Sequence, residues 1–311
     1  MNLIEIKSPQ KTNVIELLLR DKRSENTKRA YRRDLLDFFT TTTGQEPSGE
    51  LVEKFLSLAR TQAVAVVLQY KAGLIEKGLS ESTINRRLSA LRSLVNYSRK
   101  VGLCEWDLQD VDGEKVKGYR DTSGPTTDQV INMLNIPDRT TEKGKRDYAI
   151  LRLLWSNALR RGEIVSCNIK DFDPEAGTLA ILGKGRGTQK ELISLKEKTV
   201  AALVEWVEVR QGEPGEPLFI ALDNKNRGHR LTGTALYYIT WTTAKAAGIT
   251  KKVSPHRIRH SSITAALEAT GGDVCRVQRL SRHAKVETLI IYNDRRKDDQ
   301  GDVTDLLEAL A

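Results

Sequence analysis

The sequence predicts a mainly α-helical protein with one small antiparallel β-sheet. Over most of the chain, apolar residues recur at helical spacing between capping residues and glycines. Residues 178–182 and 189–195 differ, because they are short strand-like runs on either side of a glycine-rich basic turn at 183–188. The 311 residues, of which 39% are hydrophobic, are enough for two domains that each bury a core.

Helices in the first half are predicted from capping residues and apolar faces. Ser24 is placed to cap the first long helix. Ser80 or Ser82 is placed to cap the last one, which runs to about Lys100 with an apolar face along one side. Further helices are predicted at 51–58 and 62–77, with a loop at 40–49.

A polar stretch between Asp107 and Pro125 separates the two halves. It is rich in Asp, Lys and Gly and follows neither the helical nor the strand period, which is typical of a linker. We therefore place domains at 1–113 and 126–311, joined by a linker at 114–125. Helices of the second half are predicted from about 127 and at 146–156, 198–211, 232–247, 255–270, 273–281 and 302–310.

The charge balance favours a polyanionic partner. Lys and Arg outnumber Asp and Glu by 50 to 41, a net charge of +9, although basic enzymes without such a partner also exist. The longest apolar run, residues 63–68, is far shorter than the roughly 18 residues that a bilayer span needs. Cys104, Cys167 and Cys275 are widely spaced, which indicates unpaired thiols in a reduced, cytoplasmic protein.

One predicted helix carries a basic face. Between residues 82 and 102 there are five basic side chains and no acidic one. Arg and Asn hydrogen-bond phosphates and base edges, so this helix is a candidate DNA-binding element, while a merely solvated basic face is the alternative. The predicted DNA-binding residues are Arg86, Arg87, Arg92, Asn96, Arg99 and Lys100.

Three of the four histidines, His256, His260 and His283, lie within one short region rich in arginine. The first two are four residues apart, but the HRIRH segment lacks the Glu of a zinc protease and its arginines would repel a cation. We therefore predict no metal site. A serine or cysteine nucleophile is also disfavoured, because there is no GxSxG motif and no cysteine has a neighbouring histidine.

A joint pattern of basic residues and a tyrosine suits phosphodiester transesterification. His256 and Arg259 share a helix face, Arg160 follows an apolar helix, and Lys184 lies in the GKGRG turn. Two guanidiniums can clamp the non-bridging oxygens and stabilise a pentacoordinate transition state, and Lys or His can protonate the leaving alkoxide. Tyr292 can act as the nucleophile.

These motifs resemble those of the tyrosine recombinases of the phage-integrase family, over nearly the whole chain. ALRRGEI matches the family's GLRxxEL segment and makes Arg160, not Arg161, the first catalytic arginine. The GKG lysine matches Lys184, and HRIRH at 256–260 matches the family's H-x-L-R-H box. His283 matches the third histidine of the family, and Tyr292 follows it by nine residues (292 − 283 = 9), as the family's nucleophile does.

The first half resembles the family's helical core-binding (SAM-like) domain through the segment LSESTINRRLSALRSL. The chain is therefore similar to the compact two-domain members, including Xer-type recombinases. It departs from the family where Ala158 and Arg282 each replace a usual glycine. Ala158 is expected to cost little beyond a Cβ atom, whereas Arg282 is expected either to contact DNA phosphate or to crowd the site.

The resemblance implies a role for each matched residue. Arg160 and Arg259 would hold the phosphate, Lys184 would be the general acid, and Tyr292 would form a 3′-phosphotyrosyl bond. His256 would be an acid or base and His283 a further phosphate donor, while Glu163 and His260 would support the arginines and the fold. No cofactor, neither ATP nor a metal, is implied.

The implied partners are double-stranded DNA with inverted half-sites and further copies of the chain or a paralogous recombinase. Two protomers would occupy one site and four would form a synapse, and the protein would be associated with the nucleoid. The C-terminal helix at 302–310 is expected to pack on a neighbouring protomer, with packing on its own domain as the alternative. Two functional alternatives remain: a non-catalytic DNA-binding protein of the same fold, and a type IB topoisomerase or telomere resolvase.

Overall fold

A computed structural model describes residues 13–116, 124–183, 189–286, 289 and 299–310 of the chain. It divides into two compact units, Met1–Gly118 and Tyr119–Ala311. The described residues are mostly helical, with one three-stranded antiparallel sheet, so the predicted fold class is confirmed. No helix within those ranges is both long and apolar enough to cross a membrane.

The described part of the N-terminal unit is built from five helices. Ser24 caps the second helix, as predicted, by accepting a hydrogen bond from the Thr27 backbone N–H. This helix continues through the start of the predicted loop and ends only at Gly44, which adopts φ 73°. The first helix was not predicted. The helices are α1 (Val14–Asp21), α2 (Glu25–Thr43), α3 (Gly49–Leu56), α4 (Arg60–Glu76) and α5 (Glu81–Lys100).

The core of this unit extends beyond its helices into the polar stretch. Leu108 and Val111 are buried, and Trp106 donates its indole N–H to the Leu56 carbonyl at 3.1 Å. The indole also packs edge-on against the Phe55 ring. The polar stretch therefore contributes Leu108 and Val111 to the core of the predicted domain at 1–113. The linker at 114–125 stays a prediction, and its residues 117–123 lie outside the described ranges.

The C-terminal unit places a small sheet among helices. Its strands β1 (Phe172–Asp173), β2 (Thr178–Leu182) and β3 (Lys190–Ser194) pair antiparallel in that order, so the predicted hairpin gains a short third strand. The helices are α6 (Thr127–Leu134), α7 (Glu142–Ser156), α8 (Arg161–Ser166), α9 (Glu197–Arg210), α10 (Gly233–Ala246), α11 (Pro255–Ala269), α12 (Val274–Ser281) and α13 (Asp299–Glu308). Helix α8 was not predicted, and α13 begins three residues earlier than expected.

Helix α11 is held in place from two sides. Ser262 donates to the Trp155 carbonyl of α7, and Ser261 donates to the Pro125 carbonyl. Position 124 must be glycine, because a Cβ atom there would lie 2.0 Å from the Arg257 carbonyl oxygen. This close packing fixes the helix that carries HRIRH against the core of the unit.

Candidate active site

The first site arginine is positioned by a turn between α7 and α8. Arg160 is the N-cap residue of α8, and the buried Glu163 lies one turn into that helix. One carboxylate oxygen of Glu163 accepts the Arg160 backbone N–H at 2.8 Å, and the other accepts its Nη1 at 2.7 Å. This double contact orients the guanidinium of Arg160, whose side chain remains 28% exposed.

The turn before Arg160 contains a residue with positive φ. Ala158 adopts φ 47°, in the left-handed region that favours glycine. A non-glycine residue there costs about 1–2 kcal/mol, so the expectation that Ala158 costs little beyond a Cβ atom was wrong. The residue is fully buried, and its carbonyl is used by the site.

The second arginine is fixed by two backbone carbonyls. Arg259 lies on α11, a helix that starts at Pro255 after the capping residue Ser254. Only 1% of Arg259 is exposed, and its guanidinium donates to the carbonyls of Ala158 and Ser281. Its Nη2 also lies 3.3 Å from Nε2 of His283. The protein itself therefore preorganises the guanidinium of Arg259.

These side chains surround a cavity of about 470 Å³. Three of the lining residues are arginines, which makes the cavity suited to a phosphodiester. The residues that line it are Arg160, Arg161, Gly162, Tyr237, Ser254, Pro255, His256, Arg259 and His283. No group of three possible metal ligands occurs among the residues that the structure describes.

Both histidines of the cavity are favoured in the neutral form. Burial and the charges of Arg259 and Arg160 lower the pKa of His283 to about 4. His256 is exposed as a whole residue, but the surrounding protein desolvates its ring. This desolvation, together with the charges of Arg259 and Arg160, lowers the pKa of His256. A neutral imidazole can both accept and donate a proton, which suits acid–base chemistry near neutral pH.

Arg282 lies behind the cavity and does not line it. It adopts φ 55° and ends α12, and its side chain is only 7% exposed. Its Nη2 lies 3.1 Å from Oε2 of Glu163. The side chain therefore points into the protein, and neither of the two expectations for it, contact with DNA or crowding of the site, describes this arrangement.

Four of the six predicted catalytic residues converge on the cavity, namely Arg160, His256, Arg259 and His283. The other two, Lys184 and Tyr292, lie outside the described residues. Of the predicted supporting residues, Glu163 contacts Arg160 directly. His260 is 4% exposed, with Nδ1 3.5 Å from the Thr264 hydroxyl within the same helix.

Sequence reasoning missed two features of the site. Tyr237, on α10, lines the cavity, and no spacing or motif distinguishes it from its neighbour Tyr238. The contact between Arg282 and Glu163 was also missed. Its only signal in the sequence is a cation where the related family carries glycine.

Several basic side chains of the predicted DNA-binding helix, α5, donate hydrogen bonds to other groups of the N-terminal unit. Arg86 donates to the buried Asp34, and Arg87 donates to Asp37. Both contacts face α2, so these guanidiniums tie two helices together. Because each guanidinium lies next to a carboxylate, its positive charge is partly neutralised and attracts an external phosphate less strongly.

The chain that follows α5 partly covers the side of this helix that carries Asn85 and Arg92. Asn85 exchanges two hydrogen bonds with the backbone of Glu114, at 2.7 and 2.8 Å, and Arg92 donates to the Val111 carbonyl. Arg99 lies 3.7 Å from Asp107 but is 43% exposed. The predicted residues that remain exposed at this end of the helix are Asn96, Arg99 and Lys100.

Comparison with known proteins shows the family. Residues 126–299 match the phage integrase family, and residues 14–101 match the phage integrase N-terminal SAM-like domain. A tyrosine recombinase of Synechocystis sp. is 50% identical over 96% of this chain and 95% of its own length. Another, from Synechococcus elongatus, is 48% identical over 97% of this chain and 94% of its own.

Solved structures share the fold. The XerH site-specific recombinase bound to palindromic difH substrate superposes with a TM-score of 0.67 at 22% identity, over 94% of this chain and 84% of that one. A lambda integrase dimer bound to a COC′ core site gives 0.66 at 14% identity, over 92% and 94%. The chain belongs to the phage integrase family, the tyrosine recombinases. The family and fold class that the sequence predicts are confirmed.

Proposed function

We propose that this protein is a site-specific recombinase that cleaves and rejoins DNA strands through a covalent tyrosine–phosphate bond. The observation that carries the proposal is the convergence of Arg160 and Arg259 with His256 and His283 on one cavity. Preorganised donors of this kind stabilise the charge that develops on a phosphodiester during displacement. Their positions also argue against a DNA-binding protein that has lost its chemistry.

In the proposed reaction, the phenolic oxygen of Tyr292 attacks the scissile phosphorus. A tyrosine–phosphorus ester bond forms at the 3′ side, and the bond from phosphorus to the 5′ oxygen breaks. The 5′-hydroxyl of a partner strand then reverses the attack and releases the tyrosine. Each step exchanges one ester bond for another, so the cycle requires no external energy source.

Each side chain has a defined task in this proposal. Arg160 and Arg259 hold the non-bridging oxygens. Neutral His256 takes the phenolic proton, and Lys184 protonates the leaving 5′ oxygen. Nε2 of His283 accepts a hydrogen bond from Arg259, since a guanidinium can only donate. We propose that the bound phosphate replaces His283 as the acceptor for this Arg259 N–H. With its proton on Nε2, the imidazole of His283 can then donate a hydrogen bond to the phosphate.

The proposed partner is duplex DNA with two inverted half-sites, each bound by one protomer. The related lambda integrase structure is a dimer on a core site, and the related XerH structure holds a palindromic substrate. By analogy we propose a dimer per site and a tetrameric synapse, formed with further copies of this chain or with a paralogous recombinase. Association with the nucleoid follows from this DNA binding.

A nicked suicide substrate tests the proposed function. The binding site is first selected from a random DNA pool, and one strand is then nicked beside the scissile phosphate, so that the small leaving fragment diffuses away. We expect a protein–DNA adduct that survives denaturation and forms equally well in EDTA. Absence of an adduct on every selected site contradicts the proposal, whereas relaxation of supercoiled plasmid without any selected site supports a topoisomerase instead.

A further inference from the structure

Arg282 occupies an unusual place for an arginine. It is the left-handed residue that ends α12, with φ 55° and ψ 40°, and its backbone N–H bonds the Gln278 carbonyl at 2.7 Å. Its nearly buried guanidinium donates to the carbonyls of Leu280 at 2.6 Å and of Asn157 and Ala158 at 3.3 Å each. It also reaches Oε2 of Glu163 at 3.1 Å. A surface cation would need none of these partners.

Two groups that accept hydrogen bonds from Arg282 also accept one from an arginine that is proposed to bind the phosphate. Oε2 of Glu163 accepts the backbone N–H of Arg160, and the Ala158 carbonyl accepts Nη1 of Arg259. In addition, the carbonyl of Arg282 itself accepts Nη2 of Arg160 at 3.3 Å. Arg282 thus connects the supports of both arginines, which come from elements far apart in the sequence.

Charge balance gives this connection a function. The buried Glu163 carboxylate is paired with the Arg160 guanidinium. If Arg160 were its only cationic partner, the carboxylate would cancel much of the positive charge of Arg160. Arg282 supplies a second cation to the same carboxylate, at the side away from the cavity. Burial of Glu163 would by itself raise its pKa, but the Arg160 backbone N–H and the charge of Arg282 outweigh burial and lower the pKa.

We infer that Arg282 is a positioning residue for the proposed strand cleavage. By neutralising Glu163 and tying down the turn at Ala158, it leaves Arg160 and Arg259 correctly oriented and with their charge available to the phosphate. The inference rests on the proposed function, because cleavage is one of its two readouts.

Substitution by glycine isolates the side chain. Glycine favours the positive φ that Arg282 adopts, so Arg282→Gly removes the guanidinium without straining the backbone. At saturating DNA we expect the rate of adduct formation to fall by about 10-fold or more, the usual scale for a group that orients a ligand, while the Kd for DNA changes less than about 2-fold. Arg282→Lys restores the charge but not the fork of donors, so we expect partial rescue.

Two further variants separate positioning from a general loss of charge. Arg276→Ala removes a cation from the same helix, where it is 77% exposed and pairs with Asp273, and we expect no comparable rate loss. Because Arg282 acts in part through Glu163, the double variant Glu163→Gln/Arg282→Gly should lose less than the sum of the two single losses. Wild-type rates for Arg282→Gly, or strictly additive losses in the double variant, would overturn the inference.

A second readout needs no DNA. The carboxyl ¹³C resonance of Glu163, followed against pH, should report a higher pKa in Arg282→Gly than in the wild type, because a stabilising cation is gone. An unchanged titration overturns the inference even if cleavage is slow. Failure of the wild type to form any adduct would instead count against the proposed function and leave this titration as the test of Arg282.

Discussion

Glu163 binds Arg160 at two points, its backbone N–H and its guanidinium, at 2.8 and 2.7 Å. The first contact caps the start of α8, and the second aims the side chain toward the cavity. The same carboxylate therefore fixes both the helix and the direction of the arginine. The first arginine of the RRGE segment therefore enters the site as a preorganised donor.

Arg160→Ala is expected to reduce the rate of strand cleavage by at least about 10²-fold, the typical loss for one preorganised donor. Arg161→Ala is the matched control. It removes the side chain of a neighbouring arginine that also lines the cavity but is exposed and lies 3.5 Å from the Gly233 carbonyl. Single-turnover cleavage of the suicide substrate measures both. A larger loss in Arg161→Ala would show that the two arginines have been assigned in the wrong order.

His283 should make the stability of the protein depend on pH in mildly acidic solution. Its pKa is lowered from 6.5 to about 4 in the folded state, so the unfolded state binds more protons between these values. The free energy of unfolding should therefore fall as the pH drops from about 6.5 to about 4. Urea unfolding at several pH values measures this, and His283→Asn should show a shallower slope.

If His283→Asn keeps the pH slope of the wild type, the imidazole is not held neutral in the folded protein, and its assignment as a desolvated site residue is wrong.

The exposed end of α5 should account for part of the salt dependence of DNA binding. Arg99→Ala and Lys100→Ala should each lower the slope of log Kobs against log salt by roughly one counterion, the change expected for a side chain that is proposed to contact one phosphate. Arg86→Ala is the control, since its guanidinium is paired with the buried Asp34. It should lower stability with little change in the salt slope. Unchanged slopes for Arg99→Ala and Lys100→Ala would mean that this end of the helix is only solvated.

The C-terminal helix should couple neighbouring protomers. On α13 and just beyond it, Leu307 is 62% and Leu310 is 84% exposed, so these apolar side chains do not pack on their own unit. A short helix with an apolar face is marginal alone in water and gains stability by docking. Deletion of 302–311 should preserve binding to one half-site but impair cooperative binding to a full site. Gel shifts on paired half-sites measure this, and normal cooperativity in the truncated chain would contradict packing on a neighbour.

The sequence predicted most of the helices because their caps and apolar faces are local signals. Ser24 and the apolar face of α5 are examples, and both lie where the pattern indicates. Helix α8 was missed because its six residues are too short to show a period. The burial of Leu108 and Val111 was missed because a polar composition hides single apolar residues that pack onto a distant core.

The site was predictable as a set of residue types but not as a network. The motifs identify Arg160 and Arg259, yet nothing local shows that Ala158 offers its carbonyl to Arg259 from 101 positions away in the sequence. The same holds for Arg282 and Glu163. Contacts of this kind depend on how α7, α11 and α12 pack together, which no single segment specifies.

Tyr292 is the proposed nucleophile, and Tyr237, which lines the cavity, provides a second phenol for comparison. Tyr292→Phe removes only the proposed attacking oxygen, and Tyr237→Phe removes the hydroxyl of a tyrosine that lines the cavity. Both variants are incubated with the nicked suicide substrate, and the adduct is resolved on a denaturing gel. We expect Tyr292→Phe to bind the DNA but form no adduct, whereas Tyr237→Phe still forms it. An adduct that persists in Tyr292→Phe, or one that disappears only in Tyr237→Phe, would contradict it.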